Sequence, residues 1–222
     1  MARHRLLFTK TGRAQYLSHL DLMRTIQRVF PRIGVAIRHT EGFNPHAYVS
    51  VALPLSVGVE SACELLDFEV VDGTPLATLP ERLTSALPEG ITVLQAYEAE
   101  TKLKEIAFLR VRGVLEYDRA EDTTNIAARL EAFFTQPEIL VRKRTKSKAE
   151  TEVNIKPLIR EISFTVDGDN RVQLAAVLAA QNPGLNPSLL IEALRQHAPD
   201  LAPDFVSFAR VEVYDGAMQV FR

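Results

Sequence analysis

The sequence has 222 residues, of which 46% are hydrophobic and 24% charged, values typical of a soluble globular protein with one large domain or two of about 100 residues. It contains a single cysteine, Cys63, which excludes an internal disulfide and a cysteine-ligated zinc finger or iron–sulfur cluster built by this chain alone. No run approaches the roughly 18 apolar residues that span a bilayer, and no signal-peptide core follows the basic amino terminus. We therefore expect a cytoplasmic protein with no membrane segment and no cofactor of its own.

The net charge of −2 conceals a strong segregation of charge along the chain. Residues 1–46 carry eight lysines and arginines against two acidic residues, and residues 140–160 carry seven against two, so the rest of the chain is acidic. Because affinity for phosphate depends on the local density of cations, this pattern favours a surface that binds a polyanion such as a nucleic acid. The alternative is that the cations gather by chance in surface loops.

The first half opens with an alternating strand pattern at 5–10, followed by a helix with a clear start signal. Ser18 is a good N-cap, and Asp21, three residues on, completes a capping box. Pro31 is expected to kink or end the helix near Phe30. One apolar stripe of the helix is expected to face the core, formed by Leu20, Met23, Ile26, Phe30 and Ile33.

The remaining patterns continue the alternation of strands and helices. The rest of the first half predicts strands at 35–38, 48–53, 65–71 and 91–96 and a helix at 75–87. The second half predicts strands at 108–117, 139–142, 153–155, 158–166, 172–178 and 205–214 and helices at 121–134 and 187–196. Both halves approximate β-α-β-β-α-β, so we expect an α+β protein with two tandem ferredoxin-like domains and antiparallel sheets, at 1–99 and 100–222.

Three of the five histidines lie within 28 residues of one another, near two tyrosines and an arginine. The group consists of His19, His39, His46, Tyr16, Tyr48 and Arg38. Imidazole titrates near neutral pH, so if the protein is an enzyme, His19 and His46 with Tyr16 are the candidates for general acid–base cleavage of RNA. The alternatives are structural histidines, nucleic-acid contacts, and a zinc site that adds Cys63.

The loop EGFNPH at 41–46 combines a glycine, which permits close backbone approach, with an Asn-Pro turn. Phe43 and His46 are candidates to stack on an unpaired base, and Arg38 and His39 are further candidate RNA contacts just before them. The alternative is that Phe43 fills the core beneath a tight turn.

A basic hairpin is predicted at 142–160. Its seven cations are candidate contacts to RNA phosphates, namely Arg142, Lys143, Arg144, Lys146, Lys148, Lys156 and Arg160. A solvated hairpin with no binding role is the alternative. The sequence has no Walker loop, dinucleotide-binding glycine fingerprint or nucleophile elbow, so most familiar enzyme classes lack support, and no metal site is predicted.

Four segments together resemble one bacterial family. They are YLSHLDLMR at 16–24, EGFNPH at 41–46, LPLSVGVES at 53–61 and VNIKPLI at 153–159. These segments are similar to those of the radical-SAM-linked protein family, in which an acidic residue is more usual at the place of Asn154. That family has no known function and occurs as a separate chain or fused behind a radical SAM domain. The resemblance implies a radical SAM partner that carries the iron–sulfur chemistry.

The chain also resembles, more distantly, the tandem ferredoxin-like RAMP proteins that process CRISPR repeat RNA. The shared features are the first strand, the helix that begins near Ser18 and the glycine-containing turn after it. Residues 206–214 lack the glycine-rich loop typical of those nucleases. We therefore expect a non-catalytic RNA-binding protein that presents tRNA or rRNA to a radical SAM partner. The alternatives are a metal-independent RAMP-like endoribonuclease and a module that binds the partner protein without RNA.

Overall fold

The computed structural model describes residues 3–118, 122–144 and 150–222, which divide into two compact units. The first unit contains the described residues up to Glu105 together with Arg210–Glu212 and Val220–Arg222. The second unit contains Ile106–Ala209 and Val213–Gln219. Two short segments from the end of the chain therefore belong to the first unit, although the sequence pattern assigns them to the domain at 100–222.

The first unit is a ferredoxin-like domain. Its elements are β1 (His4–Lys10), α1 (His19–Arg32), β2 (Val49–Val51), β3 (Val59–Phe68), α2 (Leu79–Ala86) and β4 (Ile91–Glu98). The strands lie in the order β4-β1-β3-β2, and each neighbouring pair is antiparallel. This is the 4-1-3-2 order of a β-α-β-β-α-β fold, as the sequence predicts.

The second unit repeats this fold with one insertion. Its elements are β5 (Phe108–Glu116), α3 (Thr123–Phe134), β6 (Leu140–Arg144), β7 (Glu150–Asn154), β8 (Ile159–Val166), β9 (Arg171–Ala179), α4 (Ser188–His197) and β10 (Phe205–Tyr214). The main strands lie in the order β10-β5-β9-β8, again 4-1-3-2, while β6 and β7 form a separate two-stranded sheet. The β6–β7 hairpin is therefore an insertion between α3 and β8. The predicted fold class is confirmed.

Helix α1 begins as predicted, but its buried face differs from the prediction. The Ser18 Oγ accepts the Asp21 N–H at 3.2 Å and donates to the Asp21 carboxylate at 2.7 Å. Leu20 is 56% exposed and Met23 is only partly buried, so the predicted stripe was wrong at both positions. A helix that buries position 22 turns position 20 about 200° away from the core. The residues that α1 buries are Leu22, Ile26, Val29 and Phe30.

The end of α1 is set by a glycine rather than by the proline. The helix continues through Pro31 to Arg32, because a proline in the last turn removes only one hydrogen bond. Gly34 then adopts φ +68°, which a glycine reaches without strain. Its N–H donates to the Pro31 carbonyl at 3.0 Å, and the Val35 N–H donates to the Phe30 carbonyl at 3.0 Å. This Schellman motif closes the helix.

Both helices of the first unit pack their apolar faces on the sheet. The largest contributors to this core are Leu6, Phe8, Leu22, Ile26, Phe30, Leu66, Phe68, Leu79 and Leu83. Across residues 3–118, 122–144 and 150–222, no helix is long and apolar enough to cross a bilayer.

Candidate nucleic-acid interface

Residues 37–48 form a hairpin in the first unit, which we call the aromatic hairpin. The Tyr48 N–H donates to the Arg38 carbonyl at 2.8 Å, and nearer the tip the Thr40 N–H donates to the His46 carbonyl at 2.8 Å. The two arms are therefore paired, and the turn between Thr40 and His46 lies at their end.

Phe43 lies at the tip of the aromatic hairpin and is fully exposed, with a relative exposure of 113%. The interpretation in which this ring fills the core is therefore wrong. Gly42, just before it, has φ +126°, a backbone conformation that residues other than glycine rarely adopt. An exposed phenyl ring contributes nothing to the core, and its face is available for stacking on an unpaired base.

Arg38 and Tyr48 form a supported pair at the base of the aromatic hairpin. The Arg38 guanidinium lies 5.2 Å from the centre of the Tyr48 ring, and its Nη1 donates to the two carboxylate oxygens of Glu69 at 3.2 and 3.3 Å. Because Glu69 neutralises much of the guanidinium charge, Arg38 adds little net charge to this surface. Its main effect is to hold the Tyr48 ring, which remains 46% exposed.

The two histidines of the aromatic hairpin are exposed and use one ring nitrogen each within the protein. His46 Nδ1 lies 3.1 Å from Thr40 Oγ1 and 3.3 Å from the Asn44 carbonyl oxygen. His39 Nδ1 lies 3.0 Å from the Ile37 carbonyl oxygen. Within the described residues, Nε2 of neither ring has a hydrogen-bond partner, so both rings retain a nitrogen that can contact a ligand.

The chain that enters the aromatic hairpin is anchored by Asp72. Its carboxylate accepts the Ala36 N–H at 2.7 Å, and it also accepts the N–H and the hydroxyl of Thr74 at 3.0 and 2.6 Å. These bonds favour the ionised carboxylate and lower the pKa of Asp72 to about 2. The predicted strand at 35–38 is reduced to a bridge between Ile37 and Val70, so Asp72 adds support where a longer ladder is missing.

The other two candidates for acid–base chemistry lie at the start of α1. Tyr16 is 67% exposed at the end of a 3₁₀ turn, and His19 is the exposed first residue of the helix. No hydrogen bond within the described residues joins either side chain to His46, so the structure does not link the three as an acid and a base. In those same residues, no three His, Cys, Asp or Glu side chains gather where they could hold a metal ion.

The basic hairpin of the second unit is only partly described. Its strand β6 includes Arg142, Lys143 and Arg144. Arg142 is exposed, and its Nε lies 3.6 Å from the carboxylate of Glu152 on β7. Such an exposed pair contributes little energy, so the guanidinium can exchange its partner for a phosphate. The predicted contacts Lys146 and Lys148 lie outside the described residues.

The end of α4 holds β6, a connection that the sequence analysis missed. The Gln196 carboxamide accepts the Arg142 N–H and donates to the Arg142 carbonyl, both at 3.0 Å. Nε2 of His197 lies 2.6 Å from the Leu140 carbonyl oxygen. The only sequence signal is a run of polar residues in the last turn of a helix, which does not identify β6 as the partner.

The last two candidate contacts, Lys156 and Arg160, differ in their availability. The Lys156 amine donates to the Phe134 carbonyl at 2.5 Å and so caps the end of α3, a structural role. Arg160 is exposed, with its guanidinium 5.0 Å from the centre of the Phe108 ring. Asn154 Oδ1 accepts the Lys156 N–H at 3.1 Å, a bond that a carboxylate at this position would accept equally well.

A group of buried charges in the first unit was also missed. Arg210 donates to Glu64 Oε1 at 2.8 Å and to the Leu53 carbonyl at 2.6 Å, while the Lys10 amine donates to the Gln15 carbonyl at 3.0 Å. Burial raises the pKa of the Glu64 carboxyl and lowers the pKa of the Lys10 amine. The sequence signal was a charged residue inside an otherwise apolar strand, which indicates a buried partner without naming it.

Cys63 lies on β3 and is only 2% exposed. Burial, the largest effect, raises the pKa of its thiol to about 12. The thiol is therefore protonated at neutral pH and is neither a nucleophile nor a ready metal ligand.

The protein therefore belongs to the class of α+β proteins with two ferredoxin-like units. The first unit carries the exposed aromatic hairpin, and the basic hairpin is inserted into the second. Within that class, residues 3–187 match the model of a family described as an uncharacterized protein conserved in bacteria (DUF2344), and the chain belongs to that family. The chain matches none of the curated proteins with which it was compared.

Solved structures that are similar to this chain include two RNA–protein assemblies or their protein components. A crystal structure of a Cbf5-Nop10-Gar1 complex matches with a TM-score of 0.53 and 10% identity, over 95% of this chain and 48% of the matched chain. A structure of an H/ACA RNP bound to a substrate RNA containing 2'-deoxyuridine matches with a TM-score of 0.48 and 10% identity, over 98% of this chain and 48% of the other. This chain spans about half the length of each matched chain. At this identity, the first likeness supports the fold alone.

Proposed function

We propose that this chain is a non-catalytic RNA-binding protein that presents an RNA, such as a tRNA or rRNA, to a radical SAM partner. The observation that carries the proposal is the aromatic hairpin. Phe43 is fully exposed at its tip, His39 and His46 flank it in sequence with Nε2 atoms that have no partner in the described residues, and Tyr48 follows. Exposed rings beside hydrogen-bonding groups are the means by which proteins hold unpaired bases.

Exposed arginines of the second unit supply the second part of the proposal, Arg142 on the β6–β7 hairpin and Arg160 beyond it on β8. Base stacking alone does not hold a nucleic acid, because most of the affinity comes from cations that contact the phosphates. Arg142 and Arg160 are exposed, and the pairing of Arg142 with Glu152 is too weak to exclude a phosphate. Lys156 is not among these contacts in our proposal, because its amine already caps α3.

The proposal assigns no catalytic residue. General acid–base cleavage of RNA requires an acid and a base at one phosphodiester. Tyr16 and His19 lie at the start of α1, whereas His46 lies on the aromatic hairpin, and no hydrogen bond in the described residues links them. In addition, β10 is a regular strand over Phe205–Tyr214, where the similar RAMP nucleases carry a glycine-rich loop.

The radical SAM partner is inferred from the family resemblance and agrees with the chemistry of this chain. The single cysteine is buried with a protonated thiol, so this chain offers no thiolate for an iron–sulfur cluster. If the RNA is modified by radical SAM chemistry, the cluster has to be bound outside these 222 residues.

The proposal is tested by fluorescence anisotropy with a labelled single-stranded RNA and a duplex of equal length. We expect tighter binding to the single strand and a steep loss of affinity between about 50 and 200 mM salt. The RNA should remain intact on a denaturing gel. Failure to bind RNA at low salt would refute the proposal. Metal-independent cleavage that leaves 2',3'-cyclic phosphate ends, and that His19→Ala or His46→Ala abolishes, would instead support the endoribonuclease.

A module that binds the partner protein without RNA is the second candidate, because apolar side chains are exposed near the start of α1. Tyr16, Leu20 and Val57 are 67%, 56% and 58% exposed. The Gly58 N–H donates to the Gln15 carbonyl at 3.0 Å, which brings the segments of Val57 and Tyr16 together. Exposed apolar patches mark protein interaction sites. Crosslinking in cells decides between the two candidates, since recovery of a radical SAM protein without RNA would favour this one.

A further inference from the structure

Three arginines form a row along α1, at positions 24, 28 and 32. Side chains four residues apart share one face of a helix and follow each other at about 6 Å along its axis. All three are exposed. Arg24 lies 3.8 Å from the carboxylate of Asp21, whereas Arg28 and Arg32 have no ion-pair or hydrogen-bond partner among the described residues.

A groove of about 340 Å³ lies beside this row, between α1 and the end of α2. Arg28, Arg32 and Thr25 form its polar wall, and Leu87 and Pro88 contribute an apolar wall. No acidic side chain is among the described residues that line it. The carboxyl ends of α1 and α2 each carry about half a negative charge, and the two guanidinium groups together outweigh them.

We propose that this groove binds backbone phosphates of the RNA, at a third contact separate from the two hairpins. The inference rests on the proposed function and adds Arg28 and Arg32, which belong to the basic segment 1–46 but are not among the candidate RNA contacts named from the sequence. A guanidinium binds a phosphate through two parallel hydrogen bonds, and the Thr25 hydroxyl is a further donor. The apolar wall offers a surface against which a ribose can pack.

An RNA backbone fits this groove better than an acidic peptide does. The cations repeat at a regular interval along a rigid helix, which suits an anion that repeats along a chain. The wall opposite them offers no free N–H donor to a peptide backbone, because the Leu87 N–H already donates to the Leu83 carbonyl at 2.9 Å and Pro88 has no N–H. An acidic peptide therefore serves as the competing ligand in the test.

The test uses the full chain with Arg28→Gln and Arg32→Gln combined, because glutamine keeps the helix propensity and most of the side-chain length. The matched control is Arg195→Gln on α4, an exposed arginine that also has no partner among the described residues. Circular dichroism should show unchanged thermal unfolding for both variants.

We expect the double variant to bind a single-stranded RNA of about 12 nucleotides roughly tenfold more weakly at about 0.1 M salt. The slope of log affinity against log salt should become shallower by about 1.4, because each single-strand phosphate contact contributes about 0.7. The control should keep the wild-type affinity and slope. Arg28→Lys with Arg32→Lys should retain most of the slope, because the charges remain.

The outcomes separate this inference from the proposed function. If wild-type protein binds no RNA, the proposed function fails and this inference fails with it. If wild-type protein binds RNA and the double variant keeps its affinity and slope, only the groove assignment is overturned. A titration with inorganic phosphate, followed by amide NMR shifts at Thr25 and Leu87, separates the sources of phosphate. If phosphate shifts these amides but the double variant binds RNA like the wild type, the groove binds a free phosphate compound. If an oligoglutamate shifts these amides and RNA does not, the groove binds an acidic peptide. Both results overturn the RNA assignment.

Discussion

Replacing Phe43 by alanine should separate RNA binding from folding. The ring is fully exposed, so its removal should change the free energy of unfolding by no more than about 0.5 kcal/mol. Truncation of the fully buried Phe30 should instead cost about 3–5 kcal/mol. A base stacked on an aromatic ring contributes about 1–3 kcal/mol, so Phe43→Ala should weaken binding to single-stranded RNA by roughly 5- to 150-fold.

The assay is fluorescence anisotropy with single-stranded and duplex RNA over a range of salt concentrations. Because Phe43 contacts no phosphate in this mechanism, the salt dependence of binding should stay unchanged in Phe43→Ala while affinity falls at every salt concentration. Phe43→Tyr should restore most of the affinity, since it keeps the ring. The matched control is Phe205→Ala, which removes a ring that is 62% exposed in the second unit.

Two results would refute this reasoning. Wild-type affinity of Phe43→Ala for single-stranded RNA would show that the exposed ring has no part in binding. An equal loss for Phe43→Ala and Phe205→Ala would show that any exposed phenylalanine has the same effect, which a specific stacking site does not allow.

Four further predictions concern charge, reactivity and stability. The first variant replaces four cations of the basic hairpin, by Lys143→Ala, Arg144→Ala, Lys146→Ala and Lys148→Ala. It should bind all RNA sequences more weakly, and the slope of log affinity against log salt should fall by about 0.7 per lost phosphate contact. An unchanged slope would show that the hairpin is solvated and has no binding role. At about pH 8, the Cys63 thiol of the folded protein should react with a disulfide reagent only as fast as the protein unfolds. Its pKa of about 12 leaves a thiolate fraction on the order of 10⁻⁴ at this pH. Rapid labelling of the folded protein would contradict the burial of the thiol. The Asp72 carboxylate, with its pKa lowered to about 2, should stabilise the fold fully above its unfolded pKa of about 3.9 and lose that effect as the pH falls towards 2. The stability lost in Asp72→Asn should therefore shrink over that range in urea titrations, and a loss that does not vary with pH would rule this out. Arg210→Ala should destabilise the protein by about 3–5 kcal/mol in the same assay, because it leaves Glu64 buried without its partner. Adding Glu64→Gln to this variant should recover part of the lost stability. If the double variant is no more stable than Arg210→Ala, the pairing is contradicted.

The fold could be predicted because local patterns determine most of it. Alternating strands and the Ser18 capping box gave the order of elements, and a 4-1-3-2 sheet is the compact arrangement for that order. The face of α1 was harder to predict, because Leu20, Leu22 and Met23 are all apolar and compete for the same stripe. The rotation of α1 about its own axis is decided by packing on the sheet, which buries Leu22 and leaves Leu20 exposed. Hydrophobicity alone does not contain that information.

The candidate site could be predicted only as a set of residue types. Phe43 could be identified from the sequence as a candidate contact, but its burial could not be predicted, because a turn that contains Gly42 and an Asn-Pro pair places a ring in the core or in solvent with equal ease. Similarly, nothing near Lys156 indicates that its amine caps α3, since Phe134 lies 22 residues earlier in the chain. The arginine row on α1 is visible in the sequence, but the groove beside it depends on where α2 ends.

The buried charges explain why the first unit includes residues from the end of the chain. Glu64 lies on β3, where only 1% of its surface is exposed, and an isolated carboxylate in such a place is strongly unfavourable. Its partner Arg210 lies 146 residues later, a distance over which no local pattern connects the two. A similar argument applies to Arg5, which is fully buried, donates to Asp67 at 2.6 Å and lies 5.0 Å from the centre of the Phe221 ring. Because breaking a buried ion pair leaves an uncompensated charge, these contacts favour the inclusion of Arg210–Glu212 and Val220–Arg222 in the first unit.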